Sequence, residues 1–239
     1  KTGQTLPVIV ETTEFNSELT VTNFSDSAKT INFNFVADGV QTAGNTASFD
    51  LTLQQGEQKI IPDIVDFLRQ SGIPGIGARG PTFAGALFAS VASGDMTGVV
   101  IGARTAAPGG VGQYGLFYNA VPIGAASADT AWIYGLQQNA ENRSNLALVN
   151  TGEVDDSSSI FELDIYDGGA GLLLKTVSIA VPAKGWKQIG AILTQSLGTT
   201  QGYVRVRKTT GNNPFITYGV INDGGSPGQR SGDGAYIPS

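Results

Sequence analysis

Apolar and polar residues alternate along much of the chain, which is the pattern of strands that bury one face and expose the other. In the first half the alternation runs through residues 18–22, 30–36 and 48–53, and in the second half through residues 160–166 and 176–181. Short clusters of Gly, Asp, Asn and Pro separate these runs. The pattern predicts an all-β sandwich fold with about seven or eight strands in each half.

The two halves carry the same landmark residues in the same order. Leu19 and Asn23 in the first half correspond to Leu146 and Asn150 in the second, and matched glycine, proline and aliphatic positions follow. A repeated order of this kind indicates an internal duplication. The sequence therefore predicts two homologous β-sandwich domains, at residues 1–124 and 128–239, joined by a short stretch of small residues.

One short helix is predicted in each half. Residues 62–70 place Pro62 near the start, acidic residues in the first turn and an apolar stripe along one side. The matching segment is about 189–197. We expect the two halves to superpose with their helices equivalent, each helix closing one open end of its sandwich. The side chains expected to be buried there are Ile64, Leu68, Leu193 and Leu197.

Only the first half contains an insertion, over residues 71–83, whose glycines and prolines predict a loop. Two copies of one fold need the same residues for folding, so a feature of one copy alone can point to function. Ile73, Ile76 and Arg79 of this loop are therefore candidate contacts with a ligand or a partner. The alternative is a loop that only fills the cleft between the two domains.

Composition excludes several classes of function. The chain of 239 residues has no Cys and no His, which excludes Ser-His-Asp and Cys-His catalysis, thiolate chemistry and zinc sites built from those residues. A net charge of -6, with 14 Lys and Arg residues scattered singly, argues against nucleic acid and anionic membranes as partners. No apolar window approaches the roughly 20 residues that span a bilayer.

Two glycine motifs fail in their context. Residues 75–80 match the dinucleotide-binding pattern, but Pro81 and a strand-like run follow where a helix is required. Residues 224–228 match a serine nucleophile turn, but Pro227 removes a needed N–H and no His can activate Ser226. We therefore expect no cofactor and no catalytic residue among them.

Carboxylates remain as possible chemistry. Glu162 and Asp164 lie on one face of one strand, near the spacing that a glycosidase uses, but that face is ordinarily solvated. Asp155 and Asp156 could bind Ca²⁺, yet they lack the spaced acidic pattern of a calcium loop and are more typical of an exposed turn. A carboxylate-based glycoside hydrolase is a remote alternative, and no metal is predicted.

Two longer segments carry a resemblance to known sequences. Residues 142–152 (NRSNLALVNTG) and 183–189 (AKGWKQI) resemble the recurring marks of uncharacterised, predicted-secreted bacterial proteins with tandem Ig-like β-sandwich repeats. The resemblance implies an Ig-like fold over essentially the whole chain and a secreted or cell-surface location, with the signal peptide removed. It implies no activity. The first half has Asn16 where the second has Arg143.

Aromatic residues are the remaining candidates for ligand contact, since flat amphipathic rings serve sugars or peptides at recognition surfaces. Trp132 and Trp186 are the main ones, although Trp186 follows a glycine where a core ring is expected. Arg143 is either a ligand clamp or a residue that ties a turn. The full aromatic set is Trp132, Tyr134, Trp186, Tyr114, Tyr118 and Tyr236.

These observations favour a non-catalytic extracellular structural or adhesion-type protein, with a surface polysaccharide or a protein as its partner. The alternative is a carbohydrate-binding accessory module of a secreted system. A coplanar exposed aromatic pair in a groove would favour the carbohydrate-binding function.

Overall fold

The computed structural model describes residues 1–38, 46–79, 82–108, 112–194, 197–226, 229–231 and 233–239. Antiparallel strands make up most of them, so the predicted all-β fold is confirmed. The elements are β1 (Gly3–Glu11), β2 (Asn16–Asn23), β3 (Lys29–Ala37), β4 (Thr46–Leu53), β5 (Gln58–Ile61), α1 (Ile64–Gln70), β6 (Phe83–Val91), β7 (Val99–Pro108), β8 (Gln113–Asn119), β9 (Val121–Pro122), β10 (Thr130–Gln137), β11 (Asn142–Asn150), β12 (Ser159–Asp167), β13 (Leu173–Val181), β14 (Trp186–Ile189), β15 (Gln201–Thr210), β16 (Phe215–Asp223) and β17 (Gly234–Pro238).

The chain divides into two compact units. The first unit is Lys1–Pro108 with Phe117–Ala126, and the second is Gly109–Leu116 with Ser127–Ser239. The change from one unit to the other follows Ala126, between the predicted domains 1–124 and 128–239. Residues 112–116, which the sequence assigned to the first domain, group with the second unit.

Strand pairing follows the same order in both units. In the first unit the order is β4-β3-β6-β1-β2-β7-β8, with β5 on β2 and β9 on β1, all within one sheet. In the second unit two four-stranded sheets have the orders β10-β15-β12-β13 and β14-β11-β16-β17. Substituting β10 to β17 for β1 to β8 converts the pairs of the first unit into those of the second, apart from β9 on β1 and from β1–β2, whose pair Glu11–Asn16 joins the two layers of the first unit into one sheet. Common descent of the two halves stays a prediction.

A shared irregularity fixes the correspondence between residues. The β1–β6 register shifts between Leu6 and Ile9, and the β10–β15 register shifts between Ile133 and Leu136. A glycine lies opposite each shift, Gly85 in β6 and Gly202 in β15. A Cβ on Gly85 would collide with the carbonyl oxygen of Val36, and a Cβ on Gly202 with that of Tyr166. Both units therefore need glycine at this bulge.

The predicted alternation places the apolar faces in the cores. In the second unit Phe161, Leu163 and Ile165 of β12 pack against residues of the opposite sheet, such as Leu146 and Leu148 of β11. The apolar positions of β2 and β3 in the first unit are equally buried. These two layers are the β-sandwich arrangement that the alternation indicates.

The helix of the first half is confirmed and is short. Asp63 caps α1, its side chain accepting a hydrogen bond from the backbone N–H of Asp66 at 3.1 Å. Ile64 and Leu68 are buried. No helix in the part of the chain that the structure describes is long and apolar enough to cross a membrane.

The helix predicted at 189–197 is wrong for residues 189–194, whereas Leu197 has 3₁₀-helical conformation, with its N–H donating to the Thr194 carbonyl at 2.9 Å. Ile189 ends β14, and turns and bends follow through Leu193, while residues 195 and 196 lie outside the described residues. Ala191 has a left-handed φ of 47°, and the backbone N–H of Ile192 donates to the Ser144 carbonyl at 2.9 Å. Pairing with β11 therefore replaces helical hydrogen bonds. Leu193 is buried as expected, whereas Leu197 is only half-buried.

A buried asparagine joins the two layers at one end of each unit. Asn23, at the end of β2, donates from Nδ2 to the carbonyls of Ser27 and Leu53 at 2.8 and 3.2 Å. Asn150, at the end of β11, donates in the same way to Ser157 and Val181 at 3.2 and 3.1 Å. The duplicated Asn of the sequence therefore has the same hydrogen-bonding role in both units.

Replacing Leu68 by Ala should lower the free energy of unfolding by about 2–4 kcal/mol, because its side chain is fully buried. Replacing the half-buried Leu197 by Ala should lower the free energy of unfolding by clearly less. Urea unfolding followed by circular dichroism measures both. Equal losses for the two variants, or an unchanged midpoint for Leu68→Ala, would contradict this assignment of burial.

Candidate functional site

Four aromatic rings cluster on the outer face of the β10-β15-β12-β13 sheet. Trp132 and Tyr134 of β10 are stacked with centroids 5.9 Å apart and planes within 6°. Tyr166 of β12 and Tyr203 of β15 are stacked at 5.0 Å and 8°. The Trp132–Tyr203 and Tyr134–Tyr203 distances, 6.1 and 5.8 Å, join the two pairs. We call these four residues the aromatic cluster.

Tyr134 is the most accessible ring of the aromatic cluster, at 57% exposure. With Tyr203 it lines an open cleft of about 230 Å³, whose polar side chains include the amides of Gln137 and Gln201. Glycine backbone contributes further lining at residues 135, 168 and 202. The cleft thus combines an exposed ring with neutral hydrogen-bonding groups, which suits a ligand with both apolar and hydroxyl-bearing faces.

Charged side chains border the aromatic cluster on the same sheet face. The guanidinium of Arg205 lies 5.6 Å from the Trp132 ring centroid, and its Nη2 is 2.8 Å from Asp164 Oδ2. Arg207 donates from Nε to Asp164 and from Nη2 to Glu162, at 2.8 and 2.6 Å. These ion pairs hold the residues around the rings in place.

Asp164 does not have the solvated environment that the sequence indicated for this face. Its side chain is buried and accepts hydrogen bonds from Arg207, Arg205 and Thr176. The hydrogen bond from Arg207 holds the pKa of Asp164 well below its usual range, although burial alone would raise that pKa. Asp164 therefore stays ionised and paired, which is unsuited to the proton donor of a glycosidase.

Three of the four rings of the aromatic cluster have no aromatic counterpart among the described residues of the first unit. The Trp132–Arg205 pair occupies the register position of Thr5 and Phe88 in the first unit. The Tyr166–Tyr203 pair occupies the position of Val36 and Ala86. Thr5, Val36 and Ala86 are buried in the first unit, so the same strand pairing forms there with small and aliphatic residues at the positions of three rings.

The two tryptophans that the sequence analysis named as candidate ligand contacts lie in different environments. Trp132 belongs to the aromatic cluster and is half-buried. Trp186 is only 3% exposed, and its indole N–H donates to the Tyr218 hydroxyl at 3.1 Å. The position of Trp186 is that of the core ring that the sequence offered as the alternative to ligand contact.

Arg143 is half-buried beside the loop that follows β16. Its Nη1 donates to the carbonyls of Gly224 and Ser226 at 3.1 and 3.3 Å. Burial lowers the pKa of Arg143. These contacts correspond to the turn-tying role. Asn16, its counterpart in the first unit, instead donates to Asp63 at 3.3 Å.

The described part of the insertion is fastened to its own unit. The backbone N–H of Ile73 donates to the Leu68 carbonyl at 3.1 Å, and Arg69 Nε donates to the Gly77 carbonyl at 3.0 Å. Ile73 and Ile76 are half-buried, whereas the Arg79 side chain is 60% exposed, with Nε 3.9 Å from Glu11. Gly80 and Pro81 lie outside the described residues. Ligand contact by Ile73, Ile76 and Arg79 stays a prediction.

The Asp155–Asp156 turn is held by its own hydrogen bonds. Ser157 and Asn212 donate to the Asp155 carboxylate and lower its pKa to about 2. The buried Asn213 accepts hydrogen bonds from the backbone N–H groups of Val154 and Asp155, at 2.8 and 3.1 Å. Within the described ranges, no three acidic side chains gather as a metal site would require.

Sequence reasoning missed Tyr166 and Tyr203 as members of the site. Alternation along β10 places Trp132 and Tyr134 near one face, but Tyr166 and Tyr203 join them only through the pairing of β10, β15 and β12. Strand pairing across more than 30 residues leaves no local signal. The aromatic residues at alternate positions were the only available indication.

The chain was compared with protein-family models and with curated proteins, and neither comparison gives a match. The site is therefore interpreted from its geometry alone.

Replacing Asp164 by Asn should lower the free energy of unfolding at neutral pH by about 1.5–3 kcal/mol, since two arginines lose a charged acceptor. A carboxylate with a lowered pKa stabilises the fold above its unfolded pKa and loses that contribution as pH falls. The difference in free energy of unfolding between Asp164→Asn and the parent should therefore become smaller below about pH 4. Urea unfolding across this pH range measures it.

Glu162→Gln is the matched control, because Glu162 is more exposed and shares only Arg207. Its effect should be smaller at every pH. A gap for Asp164→Asn that stays constant or widens on acidification would contradict the role given to the ion pairs.

Proposed function

We propose that the chain is a non-catalytic binding protein that holds a carbohydrate on the aromatic cluster of its second unit. The observation that carries the proposal is the exposed Tyr134 ring beside a cleft lined by Tyr203 and two glutamine amides. The C–H faces of a sugar pack on aromatic rings, while its hydroxyl groups exchange hydrogen bonds with amides.

The asymmetry between the units supports this function. Thr5, Val36 and Ala86 stand in the first unit where the second has three of its clustered rings. Surface aromatic residues that a shared framework does not need are candidates for recognition. Their replacement in one unit alone is what a binding role in the other would require.

A purely binding role also fits the state of the nearby carboxylates. Asp164 and Glu162 are engaged by arginines, so their contribution to the site is to orient Arg205 and Arg207. Arg205 is in turn placed against Trp132. We propose that this charged border positions the rings and adds hydrogen-bond donors at the rim.

The adhesion-type role and the extracellular location belong to the same proposal. The resemblance of residues 142–152 and 183–189 to predicted-secreted, Ig-like bacterial proteins supports them, as does a low charged fraction of 14%. A surface polysaccharide is the partner that best fits a neutral cleft beside aromatic rings.

A glycan array probed with the purified chain tests the proposal. We expect at least one saccharide to bind, and Tyr134→Ala to weaken that binding about tenfold or more, since buried aromatic contacts dominate recognition energies. Phe24→Ala is the matched control, because it removes a ring of similar exposure, 65%, from the first unit.

Retained binding in Phe24→Ala with loss in Tyr134→Ala supports the site. Absence of any bound glycan, or equal binding by the two variants, would refute carbohydrate recognition by the aromatic cluster. Binding of a protein instead of a glycan on a parallel protein array would favour the adhesion-type function with a protein ligand.

A further inference from the structure

One end of the first unit is closed by a buried ion pair. Arg69, near the end of α1, donates from Nη1 and Nη2 to the two oxygens of Glu11, at 3.0 and 2.7 Å. Glu11 ends β1 and its side chain is only 2% exposed. The hydrogen-bond donors to the Glu11 carboxylate therefore come from the helix residue Arg69.

The second unit has a glutamine at the corresponding position. Glu11 pairs with Phe83 at the end of the β1–β6 strand pair. Gln138 directly follows the last β10–β15 pair. Its backbone N–H donates to the Thr200 carbonyl at 2.9 Å. Both residues precede the same tight turn, closed by a Thr12 to Phe15 hydrogen bond in the first unit. In the second unit Asn139 donates to Asn142 in the same way.

At this end of the second unit lies a cavity of about 490 Å³, lined on one side by Gly198, which directly follows the 3₁₀-helical Leu197. Gln138 lines the cavity, and its Oε1 is buried without a hydrogen-bond partner among the described residues. Its Nε2 donates to the Gly225 carbonyl at 3.3 Å, a long hydrogen bond. An unpaired buried carbonyl is costly, and a bound donor would remove that cost once the amide turns Oε1 toward the cavity, to which it is not exposed in this structure.

The lining of the cavity is polar and uncharged. Apart from Gln138 it is lined by Asn139, Ala140, Thr199, Thr200, Ser226 and Gln229, together with glycine backbone. The Thr199 hydroxyl is hydrogen-bonded to Asp167 and Gln201, and Asn139 Oδ1 accepts from the backbone of Glu141 and Asn142, so Thr200, Ser226 and Gln229 are the side chains that face a ligand. The exchange of Glu11 for Gln138 removes the charge that would favour a cation. Amides and hydroxyls in this arrangement both donate and accept, as the hydroxyl groups of a sugar do.

We propose that this cavity is a second binding site, which takes a neutral, hydroxyl-rich ligand of the size of one or two sugar residues, with a hydroxyl group donating to Gln138 Oε1 after the side-chain amide turns toward the ligand. The ligand then supplies the hydrogen bond that Arg69 supplies to Glu11 in the first unit. The volume lies within the range of small-molecule sites. The site shares no residue with the cleft at Tyr134 and does not depend on the carbohydrate function proposed for that cleft.

Amide NMR of the isotope-labelled chain tests the proposal, with D-glucose, N-acetyl-D-glucosamine and cellobiose as the probes. We expect at least one probe to shift the side-chain amide of Gln138 and the backbone amides of Thr200 and Gly225, saturably and with a Kd in about the millimolar range. Gln138→Ala should weaken this binding about tenfold. Tyr134→Ala should leave it unchanged.

Thr200→Val removes a lining hydroxyl from an exposed position while keeping the shape of the side chain. This variant tests the proposal if Gln138→Ala does not fold. It should weaken binding at least about threefold. Absence of a saturable shift with all three probes, or shifts that the folded variants leave intact, would overturn the proposal. So would a site that takes free L-arginine and no saccharide.

Binding lost in Gln138→Ala but kept in Tyr134→Ala separates this site from the aromatic cluster. A negative glycan array with a positive NMR titration would refute the proposed function alone. The reverse result would refute only the second site.

Discussion

A buried asparagine at the end of one strand ties together the two layers of each unit. Asn23 and Asn150 each donate to the last carbonyl of the strand in the opposite layer and to the turn that precedes the next strand. Buried amide donors with several backbone acceptors fix a single geometry, because any shift would leave a carbonyl unpaired. This closure holds the end of β2 or β11 against the opposite layer of the same unit.

On this framework, the positions that carry the aromatic cluster in the second unit differ between the units in residue type and in burial, since Thr5, Val36 and Ala86 are buried in the first unit. Both units keep the same pairing order, the same bulge and a glycine opposite it. On that common framework the second unit carries stacked rings and arginine–carboxylate pairs, whereas the first has small and aliphatic residues at most of the same positions. The two units also differ at the end where β1 and β10 finish. There α1 closes the first unit, whereas the second unit has a polar cavity.

The alternating residues were sufficient to predict the strands and their buried faces, because burial of one face is a local property of sequence. Leu19, Phe33 and Leu163 are all buried as the pattern indicates. The helix prediction was wrong at residues 189–194 because hydrogen bonds to β11 and the left-handed Ala191 override a local apolar stripe. The aromatic cluster could be predicted only in part, since Tyr166 and Tyr203 reach Trp132 through pairings between distant strands.

The most direct measurement of the central claim uses the first unit as the template for the second. A variant with Trp132→Thr, Tyr166→Val and Tyr203→Ala places the first unit's residues at the corresponding register positions. Glycan binding and urea unfolding are measured on the same preparation. We expect this variant to stay cooperatively folded and to lose glycan binding. Unchanged glycan binding, or a second unit that no longer folds, would contradict the claim that these rings serve recognition and are dispensable for the fold.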